Sequence, residues 1–304
     1  MTRRRPGGFA ALRTRLALAV LTPLALFLAY LPLRAGLWVG ARLGDLAWLA
    51  IPGRRAVALE NLTRALGAET TPRERARIGR ESFRNLGMNL VEACIFYFRP
   101  PQRLLSRVEV RGADYLLAAT ALGRGVLGLT AHLGNWELLA SCVTLTPMQL
   151  SAVYRPLDDP LLDRILERFR SRVGVELIGK RNAIADIRDA LRRGRMVGVL
   201  LDQNASRREG VFAPFFGVPA STSKGLALIA LRTGAPVIPS FIHRTADGRH
   251  VVEFAPAVPV PADGDLAAYT RAFNEAIEAA IRRTPDQWFW LHRRWKTRPA
   301  EGEV

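Results

Sequence analysis

The chain of 304 residues contains few cysteines, lysines and histidines, with two, three and four of each. Two cysteines exclude a small scaffold held together by disulfides. Cys94 and Cys142 both lie among apolar residues, which is typical of reduced core thiols, and a catalytic thiol is the alternative. Charge-free runs are also scarce, because only residues 16–33 form a long one. That scarcity excludes a polytopic membrane protein.

Arginine supplies nearly all of a large positive charge. Lys and Arg total 44 against 27 Asp and Glu, which gives a formal net charge of +17. The hydrophobic fraction of 49% excludes a disordered chain and supplies a core. A basic globular protein of this kind indicates an anionic partner: nucleic acid, a phospholipid surface or an acidic protein. Codon bias would give the same arginine count. The positions of the arginines therefore have to show which of them bind an anionic partner.

The uncharged residues 16–33 form an N-terminal apolar segment that is just long enough to cross a bilayer, although Pro23 and Pro32 interrupt it. A cleaved signal peptide, a true span and a buried core helix are alternatives. No small-x-small cleavage site follows the segment, and Arg34 and Arg42 make both flanks positive. We favour a helix that dips into the cytoplasmic leaflet of a membrane, with its arginines on anionic headgroups. The arginines that precede it are Arg3, Arg4, Arg5, Arg13 and Arg15.

The remaining chain is helical first and then alternates. Residues 54–98 carry apolar side chains at helical spacing, with Thr71 as an N-cap. We predict strands at 126–130, 151–154, 175–178, 196–201, 237–243 and 251–254, and helices at 135–143, 160–173, 183–192, 224–232 and 267–283. This alternation predicts an α/β fold with a mixed, largely parallel central sheet flanked by helices. We divide the chain into a membrane-associating helical segment, 1–53, and one α/β domain, 54–304, with an initial helical part, 54–100, and a catalytic core, 101–299.

The most informative segment follows the predicted strand 126–130, where residues 132–137 read HLGNWE. On a continuous helix His132 and Glu137 would point apart, but across a strand–loop–helix junction the imidazole can turn back toward the carboxylate. A Glu137 carboxylate on one ring nitrogen would leave the other nitrogen as a general base. A loop histidine beside a helix-terminal carboxylate is the alternative. The other three histidines have no ligand spacing with His132, so we predict no metal site.

This segment resembles the H-x4-D/E motif of the lysophospholipid acyltransferase superfamily. Its HLGNWE form is similar to the bacterial late lipid A acyltransferase branch, the lauroyl and myristoyl transferases. Further segments resemble that branch in order, and the resemblance covers residues 15–299. They are the helical element 54–62, VYRPLD at 153–158, RSRVG at 170–174, LDQ at 201–203 with FAPFFGVPAST at 212–222, and PDQWFWLHRRWKTRP at 285–299.

The resemblance implies a membrane-associated O-acyltransferase of lipid A, and hence lipopolysaccharide, biosynthesis. The acyl group would pass from acyl carrier protein or coenzyme A, as co-substrate, to a hydroxyl of a glycolipid acceptor, and no other cofactor is expected. His132, oriented by Glu137, would be the general base. We expect Asp202 to position an arginine or the acceptor, or to serve in a structural pair. The candidates for binding the substrate or the oxyanion are the backbone amides around Gly134 and Asn135 and the side chains of Arg155, Arg170 and Arg172. A loop anchor is the alternative for Arg155, and a solvated helix face is the alternative for Arg170 and Arg172.

Two aromatic groups are further candidates. Phe212, Phe215 and Phe216 would line an acyl groove, with a hydrophobic plug as the alternative. The tryptophans and arginines of 288–298 predict a membrane-interface patch, a phosphate-binding strip or a contact with an acidic carrier protein. A phosphatidylinositol mannoside or another lysolipid is the alternative acceptor. A basic nucleic-acid-binding protein is a distant alternative, because no recognition motif for nucleic acid is present, and the intact His132/Glu137 pair argues against an inactive scaffold.

Overall fold

The computed structural model describes residues 8–154, 159, 161, 163, 174–179 and 183–300. Four long helices come first: α1 (Gly8–Tyr30), α2 (Leu33–Ala50), α3 (Pro52–Leu66) and α4 (Pro72–Phe98). Strands and helices then alternate. They are α5 (Gln102–Leu105), β1 (Val108–Arg111), α6 (Ala113–Ala121), β2 (Val126–Thr130), α7 (Trp136–Cys142), β3 (Leu150–Tyr154), β4 (Glu176–Gly179), α8 (Ala183–Arg192), β5 (Met196–Leu200), β6 (Gly210–Phe215), β7 (Val218–Ser223), α9 (Gly225–Thr233), β8 (Val237–Arg244), β9 (His250–Phe254) and α10 (Leu266–Arg283).

The central sheet has the strand order β1-β9-β8-β2-β5-β3-β4. Every neighbouring pair is parallel except β8 and β9, which are antiparallel. The predicted mixed, largely parallel sheet with flanking helices is therefore confirmed. Strands β6 and β7 form a separate antiparallel hairpin. The predicted helix 160–173 lies outside the described residues apart from 161 and 163.

Strand β2 lies between β5 and β8 at the centre of the sheet, and its first four residues are buried. A short apolar run suits a strand that is covered on both faces. The neighbours Val126 and Leu127 belong to different apolar clusters, because successive side chains of a strand point to opposite faces. The cluster of Leu127 includes residues of α8, α9 and α10, and that of Val126 includes residues of α6 and α7.

Helix α4 begins at a capping box, as the Thr71–Pro72 pair predicts. The Glu74 amide donates to Thr71 Oγ1 at 3.3 Å, and the Thr71 amide donates to Glu74 Oε2 at 2.7 Å. Pro72 occupies the first turn, where its missing N–H has no helical partner to lose. The helix is 27 residues long, so it reaches from the N-terminal helices to the loop that follows β2.

Helix α2 packs on α4 at backbone distance. Gly36, Gly40 and Gly44 are four residues apart and buried, so they share one face of α2. A Cβ atom on Gly40 would lie 2.6 Å from the Gly87 carbonyl oxygen, and one on Gly87 would lie 1.9 Å from that of Gly40. The segment 1–53 is therefore in close contact with the part 54–100 through α2.

A buried carboxylate fixes the other end of this helix pair. Asp45 of α2 accepts hydrogen bonds from Arg84 Nε at 2.7 Å and from Arg80 Nε at 2.6 Å. The bond from Arg84 is the largest influence on the pKa of Asp45, and the two arginines together lower it to about 2. The charge of Asp45 is therefore kept at any pH near neutrality, and it ties α2 to α4.

The outer surface of α1 and α2 is apolar and exposed. The side chains of Trp38 and Leu49 are 65% and 68% exposed, and those of Phe27 and Leu46 are 61% and 60% exposed. Among the described residues, none of the helices combines the length and the apolarity that a membrane span requires. We refer to the exposed side chains Val20, Leu21, Leu24, Phe27, Tyr30, Trp38, Leu43, Leu46, Leu49 and Ile51 as the apolar face.

Candidate active site

His132 and Asp202 meet at the carboxyl edge of the sheet. Strands β2 and β5 are parallel neighbours, and Thr130 pairs with Leu200 at their ends. The residues that follow the two strands therefore lie together, which is where α/β proteins place their sites. The His132 amide donates to Asp202 Oδ2 at 2.9 Å, and His132 Nδ1 lies 2.8 Å from Asp202 Oδ1.

This contact determines which nitrogen of His132 is basic. The Asp202 carboxylate can only accept, so Nδ1 carries the proton and Nε2 has the free lone pair. Nε2 lies 3.4 Å from the side-chain nitrogen of Gln203. Our sequence analysis gave the orienting role to Glu137, whereas in the structure the carboxylate on Nδ1 is that of Asp202. This contact could not be predicted from local sequence, because it depends on the order of the strands in the sheet.

The two groups reinforce each other electrostatically. Burial opposes the charge of His132, but the Asp202 carboxylate outweighs it and raises the pKa of the imidazole, with a further contribution from Glu137. Burial also opposes the charge of Asp202, yet hydrogen bonds from His132 and Trp288 keep the pKa of that carboxyl below its usual value. Trp288 Nε1 donates to Asp202 Oδ2 at 2.8 Å. The buried carboxylate is thus ionised and has three N–H partners.

The loop that carries His132 requires glycine at 134. Gly134 has a φ of 57°, and a Cβ atom there would lie 2.1 Å from the Ile242 carbonyl oxygen. Its own carbonyl oxygen accepts from Asn89 Nδ2 at 2.6 Å, and its amide donates to the Gln287 carbonyl at 3.0 Å. The amide of Gly134 is therefore committed to the protein and is not a donor for a substrate oxyanion.

The side chain of Asn135 is structural. It is buried, its Oδ1 accepts from the Leu138 amide at 3.0 Å, and its Nδ2 donates to Glu92 Oε2 at 2.7 Å. The first contact caps α7 in the way that asparagine commonly caps helices. Both polar groups of the side chain thus have protein partners, so the expected oxyanion contact of Asn135 concerns its backbone amide.

A buried charged network lies beneath the loop that carries His132, and we did not predict it from the sequence. Glu92 Oε1 accepts a hydrogen bond from Arg244 Nη1 and lies 2.8 Å from His250 Nε2, and Arg244 Nη2 donates to Asn89 Oδ1 at 2.6 Å. Burial opposes the charge of Glu92, but Arg244 and His250 lower the pKa of its carboxyl to about 2. In the sequence, Asn85, Asn89 and Glu92 recur at helical spacing within an otherwise apolar stretch. This pattern of polar residues on one helix face could have indicated the buried network.

An apolar cavity opens beside the histidine. Trp136 and Glu137 of α7 line it, and its floor crosses three strands. Gly128 of β2 pairs with Gly198 of β5, which pairs with Ala152 of β3. Gly198 and Ala152 leave space above the sheet, whereas the Met196 side chain covers Gly128, since a Cβ atom there would lie 2.4 Å from Met196 Cε. Larger apolar side chains surround the cavity elsewhere: Leu139, Val143, Leu150, Val175, Met196, Leu200 and Phe254.

Phe212, Phe215 and Phe216 do not form the acyl groove that we predicted for them. Phe215 and Phe216 are buried in the core, and the Phe215 ring lies 5.7 Å from that of Trp288 and 5.8 Å from that of Trp295. These two phenylalanines form the hydrophobic plug that we considered as the alternative. Phe212 is half-buried and lies under the guanidinium of Arg207. None of the three lines the cavity beside His132.

The C-terminal tryptophans are likewise internal. Trp288, Trp290 and Trp295 are 2%, 0% and 5% exposed. Arg294 is fully buried, donates to the Ser221 carbonyl at 2.7 Å, and stacks 4.9 Å from the Phe215 ring. The predicted membrane-interface patch is therefore wrong for these four residues. Their indole and guanidinium groups hold the hairpin and the loop after β5 against the C-terminal segment.

We predicted that three arginines bind the substrate or the oxyanion. These residues, Arg155, Arg170 and Arg172, lie outside the described residues. Cys94 and Cys142 are both buried free thiols, and burial raises the pKa of Cys142 to about 12. That thiol stays protonated and poorly nucleophilic near neutral pH. Within the described part of the chain, no three histidine, cysteine, aspartate or glutamate side chains are grouped as a metal ion would require.

These features define a class of protein: an α/β enzyme with a carboxylate-oriented histidine at the sheet edge and an apolar cavity beside it. Residues 8–297 match the family of bacterial lipid A biosynthesis acyltransferases. The chain belongs to that family and is an acyltransferase, as the resemblance of its motifs implied.

Three relatives illustrate the range of the family. The lipid A biosynthesis palmitoleoyltransferase of Escherichia coli (strain K12) is 33% identical over 265 residues, 86% of this chain and 85% of that protein. The lipid A biosynthesis lauroyltransferase of the same strain is 30% identical over 264 residues, 86% and 85% of the two chains. A phosphatidylinositol mannoside acyltransferase of Mycobacterium tuberculosis (strain CDC 1551 / Oshkosh) is 30% identical over 224 residues, 72% and 67%.

Proposed function

We propose that this acyltransferase transfers a fatty acyl chain from an acyl thioester to a hydroxyl of a lipid A precursor. The thioester is carried by acyl carrier protein or coenzyme A. The observation that carries the proposal is the His132–Asp202 pair, with Nε2 of the imidazole directed away from the carboxylate and beside an apolar cavity. The names of the E. coli relatives support lipid A as the acceptor.

In the proposed reaction His132 acts as a general base. Nε2 takes the proton of the acceptor hydroxyl, and the oxygen attacks the thioester carbonyl carbon. The tetrahedral oxyanion then collapses, the C–S bond breaks, and the leaving thiolate receives the proton from the imidazolium. Asp202 holds the tautomer and stabilises the imidazolium, and the negative charge of Glu137 supports the same ion.

The oxyanion of the intermediate requires hydrogen-bond donors. The Asn135 amide is our backbone candidate, because it lies in the His132 loop and the Gly134 amide is already engaged. Arg155, Arg170 and Arg172 remain side-chain candidates for binding the oxyanion or the substrate. Fixed donors in a site that excludes water stabilise such an intermediate strongly.

The cavity is our candidate for the acyl chain. A linear hydrocarbon needs a narrow apolar channel, and the adjacent small residues Gly198 and Ala152 provide room for one above β5 and β3. Larger side chains such as Met196 and Phe254 line the same cavity and would limit the length of the chain. Each buried CH₂ group contributes about 0.8 kcal/mol to binding, so the extent of this cavity would set the preferred acyl length.

The apolar face of α1 and α2 is our candidate for membrane contact. Exposed Trp38 and Tyr30 are suited to the boundary between headgroups and hydrocarbon, and exposed Arg34 lies beside them in sequence. Such a surface supports a helix pair that lies on the inner membrane from the cytoplasmic side. That placement would bring a lipid acceptor to the enzyme without extraction into water.

The proposal is tested with purified protein in mixed micelles, an acyl-carrier-protein or coenzyme A thioester, and a lipid A precursor, with products identified by mass spectrometry. His132→Ala should abolish transfer while circular dichroism stays unchanged. His243→Ala is the matched control, because its half-buried side chain lies near Glu253 and outside the dyad. Full activity in His132→Ala would overturn the general-base role. Transfer to a phosphatidylinositol mannoside instead of lipid A would favour the acceptor named for the mycobacterial relative.

A further inference from the structure

A second cleft lies between α3 and the C-terminal segment. Asn61 of α3 pins that segment, because its Nδ2 donates to the carbonyls of Trp290 at 2.7 Å and His292 at 2.6 Å. The cleft lies next to this contact and is bounded by Arg64 on α3 and by Arg293, Lys296 and Arg298. The cationic groups are therefore held on two firmly connected elements.

The cleft has an excess of positive charge. Among the described residues that line it, the acidic one is Glu60, which pairs with Arg64 at 2.9 Å. Within the described part of the chain, Arg293, Lys296 and Arg298 form no ion pair. Unpaired cations occur elsewhere on this surface, but here three of them line one concavity. Like charges gathered in a cleft repel each other and focus a positive potential that attracts an anion.

The cleft is connected to the candidate active site through His292. The Asn204 amide donates to His292 Nε2 at 2.9 Å, and the adjacent Gln203 lies 3.4 Å from His132 Nε2. His292 precedes Arg293 of the cleft, and Gln203 faces His132, so the two sites lie on either side of the short loop 203–204. A substrate that binds at both sites has to span this loop.

We propose that this cleft binds a phosphate group of a substrate while the reacting atoms lie at His132. Arg293 and Arg298 supply planar forks that match phosphate oxygens, and Lys296 supplies a point charge. Both the acceptor headgroup and the phosphate of the thioester carrier have this chemistry. The inference rests on the proposed acyl transfer, and it adds a site that anchors the substrate at a distance from the chemistry.

The test uses the double variant Lys296→Gln/Arg298→Gln in the full-length protein. Its matched control is Arg188→Gln/Arg232→Gln, which removes two exposed arginines from α8 and α9 that lie outside the cleft. We expect the KM of a phosphorylated acceptor to rise about tenfold or more in the test variant, with kcat within about twofold, because the lost charge-assisted contacts are made equally in the ground and transition states. The control should keep both parameters.

Two substrate comparisons identify the source of the phosphate. If the acceptor supplies it, the variant should show no extra defect with the dephosphorylated glycolipid. If the thioester carrier supplies it, the KM of the donor rises instead. Both results support the cleft. The proposal is overturned if neither KM differs from that of the control, or if phosphorylated and dephosphorylated acceptors are affected equally while the donor KM is unchanged.

A binding measurement separates this inference from the proposed function. Phosphorus NMR of glucose 1-phosphate should show line broadening with the wild-type protein and the control, and much less with the test variant. Loss of that difference would contradict the cleft even if acyl transfer is confirmed. Conversely, a protein that binds the phosphate through these residues but transfers no acyl group would contradict the acyl-transfer proposal alone.

Discussion

Replacing Asp202 with asparagine tests the orientation of His132 most directly. Asp202 Oδ2 accepts from both the His132 amide and Trp288 Nε1. The carbonyl oxygen of the asparagine must take that position, because the opposite orientation would aim an NH₂ group at two N–H donors. Leaving two buried donors unmatched costs about 2–6 kcal/mol. The NH₂ group therefore faces His132 Nδ1 and can only donate to it.

The consequence is a reversed tautomer. When Nδ1 of His132 accepts a hydrogen bond, the proton sits on Nε2, and Nε2 can no longer take a proton from the acceptor. We expect kcat of Asp202→Asn to fall by about a thousand- to ten-thousandfold, the scale seen when an orienting carboxylate of this kind becomes an amide. KM should change little, because substrate binding does not depend on the tautomer.

The pH dependence gives a second readout with a definite sign. Catalysis requires neutral His132, so activity falls as the pH drops through the pKa of the imidazole. In the wild type Asp202 outweighs burial and raises that pKa, which places the acid limb of kcat at a higher pH than that of an unperturbed histidine. In Asp202→Asn burial is no longer offset by Asp202, and the acid limb of the residual activity moves to lower pH.

Glu137→Gln provides the comparison for this prediction. It removes a carboxylate whose charge also raises the pKa of His132, but it leaves the Asp202 contact with Nδ1 intact. We expect a shift of the acid limb in the same direction and a much smaller loss of kcat. A larger loss in Glu137→Gln than in Asp202→Asn would refute the reasoning and return the orienting role to Glu137.

Four further changes have defined outcomes. Glu92→Gln leaves Arg244 buried without its carboxylate and should lower the free energy of unfolding in urea by about 3–5 kcal/mol; unchanged stability would contradict the role of this network. Gly40→Ala forces a methyl group to 2.6 Å from the Gly87 carbonyl and should lower Tm, whereas Gly53→Ala, with open space around it, should not. Gly198→Val projects into the cavity and should shift acyl preference to shorter chains when mixed donors compete; an unchanged product spectrum would argue against the cavity as the acyl site. The double variant Trp38→Glu/Leu46→Glu should lower the fraction of protein that co-sediments with anionic vesicles. The control Leu122→Glu, at a side chain that is 59% exposed on another surface, should leave that fraction unchanged.

The elements that the sequence predicts well are those with a strong local pattern. Strand β2 matches its predicted bounds because a buried central strand is a continuous apolar run. Helix α8 matches because its apolar residues recur on one face. Strand β1 was missed because it is a four-residue edge strand whose residues Val108–Arg111 alternate without full burial. The hairpin of β6 and β7 was missed because Phe216 adopts a positive φ of 52°, where glycine or asparagine is expected.

The candidate site was predicted in part, for a related reason. His132 follows a strongly predicted strand within a recognisable motif, so its position at the sheet edge could be inferred. Its partner Asp202 is 70 residues away, and only the adjacency of β2 and β5 brings them together. The predictions for the clusters of aromatic and basic residues were wrong for a different reason. Alternating Trp and Arg look alike on a membrane surface and in a core, and only tertiary packing shows that Arg294 has polar partners inside.

Asp202 also explains why the separate sequence blocks belong to one site. Its two oxygens accept from His132 twice and from Trp288 once, and these partners are 70 and 86 residues away. Arg294 extends this arrangement, because its buried guanidinium donates to the Gln203 carbonyl at 3.3 Å. Burial lowers the pKa of Arg294 to about 10, so it stays charged at neutral pH. Its attraction for Asp202 favours the ionised carboxylate, and an ionised carboxylate keeps the proton on Nδ1. Residues that look like a membrane patch in the sequence therefore hold the Asp202 carboxylate and the loop after β5 in place from inside the core.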